Sequence, residues 1–179
     1  DPEKAEAYEV LEKILHATQE DPPSDHGEDL LSARRRAAAL LEKRYRAQGR
    51  TADLIRVLEI ELWAARTAGG KIPRLREIVK LRLSSLGDEA GALDDVAALL
   101  LLEPGDNEHK ETLVRLSERV GKFDRLAATL AEAAERATDP QRRVQLYSEA
   151  AAIHRDKTGD LDSAIALQRA ILPLAEGDR

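Results

Sequence analysis

The chain has 179 residues, 42% of them hydrophobic and 35% charged, a formal net charge of −6, only five aromatic side chains of the Phe, Trp and Tyr types, and neither Cys nor Met. Without Cys there are no disulfides and no thiolate metal sites, the scarcity of aromatic and β-branched residues argues against sheet, and the negative charge opposes nucleic acid and anionic lipid. No apolar run nears the roughly 18 residues a membrane-spanning helix requires, the longest candidate being Val96 to Leu102. The missing Met at residue 1 reads as the mark of an excised fragment or a processed product whose original N-terminus is absent, and a cytoplasmic location is expected.

Apolar periodicity predicts helices over 3–18, 30–48, 51–67, 73–86, 89–102, 107–120, 123–137, 140–157 and 160–174, and no strand. The leading helix, 1–18, is set off by an acidic loop, 19–29, that contains Asp21-Pro22-Pro23-Ser24-Asp25. Later breaks are expected at Gly69-Gly70, at Glu103-Pro104-Gly105-Asp106 and at Asp139-Pro140, where proline in a first helical turn sacrifices no needed donor. Val96 to Leu102 is apolar nearly all round and is expected in the core.

The chain repeats itself. Gly49, Gly87, Gly121 and Gly159 stand 38, 34 and 38 residues apart, and each follows one amphipathic stretch and precedes another. A glycine in the left-handed conformation ends a helix at no steric cost, so each mark predicts helix, tight turn, helix. Shifted by 72 residues, the chain matches itself without gaps at Leu41/Leu113, Leu54/Leu126, Leu58/Leu130, Asp88/Asp160, Ala92/Ala164 and Leu100/Leu172, and Gly105-Asp106 meets Gly177-Asp178.

The stretch GDEAGALDDVAALLLLEPGD, Gly87 to Asp106, resembles the second half of a tetratricopeptide repeat, with Ala92, Val96, Leu99 and Pro104 at that motif's signature spacing. GDLDSAIALQRAILPLAEGD, Gly159 to Asp178, is similar; Gly121 to Ala137 and Gly49 to Ala65 are weaker matches, and the first helices lack the family's usual Trp, Gly and Tyr. The resemblance implies an all-α fold: a right-handed α–α superhelix of antiparallel helix pairs, about nine helices in one domain over 1–179, paired as 30–68, 73–104, 107–138 and 140–175. It also implies a concave groove lined by first helices. That places Arg36, Lys43 and Arg46, then Arg74 and Glu77, then Glu111, Arg115 and Glu118, then Glu149 and Asp156, along the expected binding surface. Arg36, Lys43 and Arg46 share a helical face and suit a carboxylate-rich peptide. Family members that clamp a chaperone's terminal carboxylate use Asn there, and Asn107 is the sole Asn of this chain.

Motifs for chemistry are wanting. Gly69-Gly70-Lys71 echoes a phosphate loop, but Ile72 replaces the magnesium-binding hydroxyl and no strand precedes it; the acidic run Asp156 to Asp162 lacks the Gly and Glu of a calcium loop. His16, His26, His109 and His154 show no metal-ligand spacing and read as packed or solvated. Trp63 reads as packing against a neighbouring pair. The basic cluster of Arg34, Arg35, Arg36, Lys43, Arg44, Arg46 and Arg50 is either a solvated face or a receptor for acidic chains. The expected function is that of a scaffold binding another protein or an acidic peptide, with no cofactor, no metal and no enzymatic activity; a spacer or oligomerisation arm that self-associates through repeat ends is the alternative, and an RNA-binding repeat is disfavoured by charge.

Overall fold

The computed structural model describes residues 2–16 and 27–176, and among these there are nine α-helices and no strand. They are α1 (Pro2–His16), α2 (Gly27–Gln48), α3 (Thr51–Ala64), α4 (Ala68–Leu81), α5 (Glu89–Leu102), α6 (Asn107–Val120), α7 (Phe123–Arg136), α8 (Pro140–Ile153) and α9 (Leu161–Glu176). A π-helical turn prolongs α4 over Arg82–Leu86 and α8 over His154–Thr158. Gly49, Gly87, Gly121 and Gly159 all have φ between 63° and 74°, the left-handed conformation that closes the preceding helix and that a side chain would strain. Of the acidic loop expected at 19–29, residues 27–29 begin α2 and the rest lies outside the described residues, as does Gly177-Asp178.

The 72-residue shift is structural as well as sequential: α3, α4 and the first π turn start at 51, 68 and 82, and α7, α8 and the second start at 123, 140 and 154. The π turns explain why two glycine spacings are longer than the third. Helix α4 with its turn runs from 68 to 86, five residues more than the 14 of α6, and the connection before it is one residue shorter.

One connection differs from expectation. Helix α3 ends at Ala64, three residues short of Thr67, because Ala65 turns to extended backbone, its amide still bonded to the Glu61 and Leu62 carbonyls. Gly69-Gly70, expected as a loop, instead forms the first turn of α4, where the Thr67 hydroxyl caps the Gly70 amide. Glycine costs helix stability, but least where the turn is already capped and half open. Pro73 therefore falls inside α4, not at its start.

The chain divides into two compact units, Asp1–Gly87 and Asp88–Arg179. In the first, α2 packs on α1 and α3, and α3 on α4, around Leu15, Leu41, Tyr45, Leu54, Val57, Leu58 and Ile78. In the second, α5 packs on α6 and α7, and α8 is held between α7 and α9. Helices α7 and α8 pack extensively on one another, and each carries a pair of buried alanines, Ala133 and Ala134 on α7 and Ala150 and Ala151 on α8, small side chains of the kind that let helix backbones approach. The apolar run in α5 is core as expected, with Val96, Ala97, Leu99 and Leu100 buried.

Candidate functional site

In the first unit the basic cluster that runs along α2 to the N-cap of α3 splits by function. Three of its arginines strap α1 down: Arg34 donates to the Leu15 carbonyl at 3.4 Å, Arg44 lies 3.9 Å over the Tyr8 ring, and Arg50 bonds Glu12 at 2.6 Å while stacking on Tyr45. Arg50 is also paired with Asp53 at 2.8 Å, and these carboxylates hold its proton more firmly than usual. The Tyr45 hydroxyl donates to Glu12 at 3.2 Å. Burial, and then the Glu12 carboxylate, push the Tyr45 phenol up to about 12.

Arg46 joins α2 to α4, bonded to Glu77 and to Glu42, and both bonds drive its pKa upward. Of the expected groove residues, Arg46 and Glu77 are thus neutralised by one another. Arg74 of α4 is likewise bonded to Glu61 of α3. Arg35, Arg36 and Lys43 are exposed, and no ion pair ties them to any other described residue.

Arg35 and Arg36 open onto a cleft of about 610 Å³ between α2, the end of α3 and the start of α4, whose walls include Ala65, Gly69, Gly70 and Arg74. The structure therefore brings Arg36 and Arg74 together at one cleft. Trp63, expected in packing, is 69% exposed instead, since it lies on the outward side of α3 with exposed Glu59 one turn before it.

The second unit carries Arg115, Glu111 and Glu118, all exposed on α6, with Arg115 donating to Thr112 at 3.3 Å. Glu149 is engaged, accepting from Lys110 at 2.7 Å and from Gln145 at 2.9 Å, and Asp156 is paired with Arg155, which lowers its pKa. A cleft of about 500 Å³ opens here between the α5–α6 connection, the end of α7 and the start of α8. Arg142, nine-tenths buried, reaches across it, donating from Nε to the Pro104 carbonyl at 2.8 Å and from Nη1 to Asn107 Oδ1 at 2.9 Å.

His109, read as packed or solvated, is packed, and what sequence reasoning missed is the pair of carboxylates gathered at its ring. The ring is buried, and its Nε2 lies 3.1 Å from Glu103 Oε2 and 3.5 Å from Asp106 Oδ2, while the other Asp106 oxygen caps the His109 amide at 3.0 Å. Glu, Asp and His at three-residue steps across a Pro-Gly turn were the available signal. These three side chains offer donor atoms within 4.8 Å of one another, enough to hold a divalent cation, and they form the one such group among the described residues. The same contacts serve to lock the Glu103–Asp106 connection onto α6.

No family model and no curated protein matches this chain. No described helix is long and apolar enough to cross a membrane.

Proposed function

We propose that this chain is a tetratricopeptide-like scaffold whose helix pairs wind into a right-handed superhelix, that it holds a partner protein through an acidic segment, and that it performs no bond chemistry. The observation that carries the reading is the recurrence of one helical hairpin, 51–86 and again 123–158, with identical boundaries. A single hairpin cannot bury its own apolar stripe, so repeats stack, and stacking yields long exposed faces suited to holding other chains. The exposed cations Arg35, Arg36 and Lys43, which no described residue pairs, supply the preference for acid.

The test is cross-linking of the full chain to proteins that co-purify with it, followed by mapping of the linked residues. Links concentrated on α2 and α4, and lost in a variant with Arg36, Lys43 and Arg46 changed to Glu, are the expected result. Recovery of RNA with no protein would overturn it.

A second reading, an oligomerisation arm, draws on Leu161, Ile165 and Leu172, which stand exposed along α9. It predicts self-association that a Leu172→Glu substitution abolishes. Sedimentation equilibrium of the two proteins tests it, and a monomer at every concentration would remove it.

A further inference from the structure

The two clefts are the same cleft at two points of the repeat. Seven positions line both when numbers are shifted by 72, among them Arg35 and Asn107, Ala65 and Ala137, Gly69 and Gln141, and Gly70 and Arg142. What differs is who spans the gap. In the second unit Arg142 crosses from the α8 wall and satisfies acceptors on the other wall, the Pro104 carbonyl and the Asn107 amide oxygen. In the first unit the crossing residue is Gly70, which has no side chain, its neighbour Gly69 looks into open space, and the wall opposite carries Arg35 where Asn107 would be.

The polarity is therefore reversed and the span is missing. The walls of the first cleft present three arginines against one glutamate, Glu61, which is already bonded to Arg74. Arg35 and Arg36 are donors only, and no described residue supplies them an acceptor. A guanidinium entering here would meet like charge, whereas a carboxylate would accept from two forks at once. The cleft's volume admits a side chain together with a short length of its backbone.

We infer that the cleft between α2, α3 and α4 is a seat for a carboxylate side chain of a bound peptide, held by Arg35 and Arg36, and left open by glycines where the repeat elsewhere places its own arginine. This deepens the scaffold reading and rests on it, by fixing where the acidic segment is anchored. The occupant is a protein carboxylate, because the cleft sets three arginines against one glutamate and has room for a side chain together with the backbone that carries it.

The test uses fluorescein-labelled hexaglutamate and the full chain, read by anisotropy. Gly69→Gln puts the counterpart of Gln141, which lines the second cleft beside Arg142, into space where a new Cβ meets nothing within 4 Å. It replaces a first-turn glycine by a better helix former, so the expected result is a melting temperature held or slightly raised together with an affinity lowered about tenfold, a combination that damage to the fold does not produce. Arg35→Glu with Arg36→Glu is expected to reduce affinity by about tenfold or more, and Lys43→Glu by less than about threefold. Equal binding by wild type and Gly69→Gln overturns the seat, as does displacement by inorganic phosphate as effective as that by unlabelled peptide. Absence of binding to the wild type also overturns it while leaving the scaffold reading to the cross-linking maps, where links to a partner away from this cleft would sustain that reading alone.

Discussion

Helices α5 and α9 occupy the same place in the repeat and begin with the same devices, yet one is core and the other is surface. Each is N-capped by an aspartate, Asp88 accepting from the Gly91 amide at 2.9 Å and Asp160 from the Ser163 amide at 3.0 Å. Their aligned residues part company further along: Leu93 is 3% exposed and Ile165 50%, and Leu100 is 0% exposed and Leu172 61%. Helix α5 is covered by α6 and α7, whereas α9 rests on α8 and the adjoining π turn. An apolar stripe thus fixes which face of a helix seeks cover. Whether cover exists is decided by the neighbour, and no residue of the helix itself encodes it.

The largest expected effect follows from that contrast. Leu100→Ala opens a cavity in a closed interior and is expected to destabilise by about 3 kcal/mol, whereas Leu172→Ala trims a surface side chain and is expected to change stability by less than about 0.5 kcal/mol. Urea unfolding of the two variants measures both. Equal costs would mean that α9 is covered in solution, and the contrast drawn from the single chain would then fail.

The caps sharpen the comparison by holding packing aside. Removing an aspartate N-cap strands helix amide donors, a local loss, so Asp88→Ala is expected to cost about 1 kcal/mol and Asp160→Ala to lower the melting temperature by a matching amount despite the exposed setting of α9. Thermal melts decide this. A cap effect confined to α5 would show that exposed α9 frays without regard to its cap.

Acidity offers a finer version. The Ser163 bonds hold the Asp160 carboxyl below its ordinary range. A depressed folded pKa contributes stability that is present above the unfolded carboxylate range, near pH 4, and is lost as pH falls through the folded value. Asp160→Asn keeps an acceptor but has nothing to titrate. Its melting temperature is expected to fall less steeply than that of the wild type when pH drops below about 4.

Locally written features are legible in the sequence. The left-handed glycines and Asp139-Pro140 each act within one turn, and the helices they bound lie within a few residues of expectation. The end of α3 is not legible, since Ala65 leaves the helix with no breaker at that point, and Gly69-Gly70 look like a loop unless Thr67 is seen to cap them. The site is legible only as charge. Periodicity puts basic residues on and just after α2, but that Arg34, Arg44 and Arg50 are consumed by α1, Arg46 by Glu77, and Arg36 by no described residue is tertiary information. His109 escapes for the same reason: its partners lie across a turn that only the folded connection closes.

The smallest effect, invisible at neutral pH, carries the lesson about neighbours to a polar group. Tyr45 is fully buried because α1 lies over it, and the Glu12 that accepts its proton-bearing hydroxyl is itself on α1. With the folded phenol pushed up to about 12 and the unfolded one near 10, the folded chain keeps a proton that the unfolded chain releases between those values. Stability from this group is therefore fully present below about pH 10 and is lost as pH rises toward 12. Ultraviolet titration is expected to show the Tyr45 phenol ionising late. Glu12→Gln removes the charge but keeps the cover, so it should bring that tyrosine only part of the way back; a full return would mean that charge, and not the covering helix, sets its proton affinity.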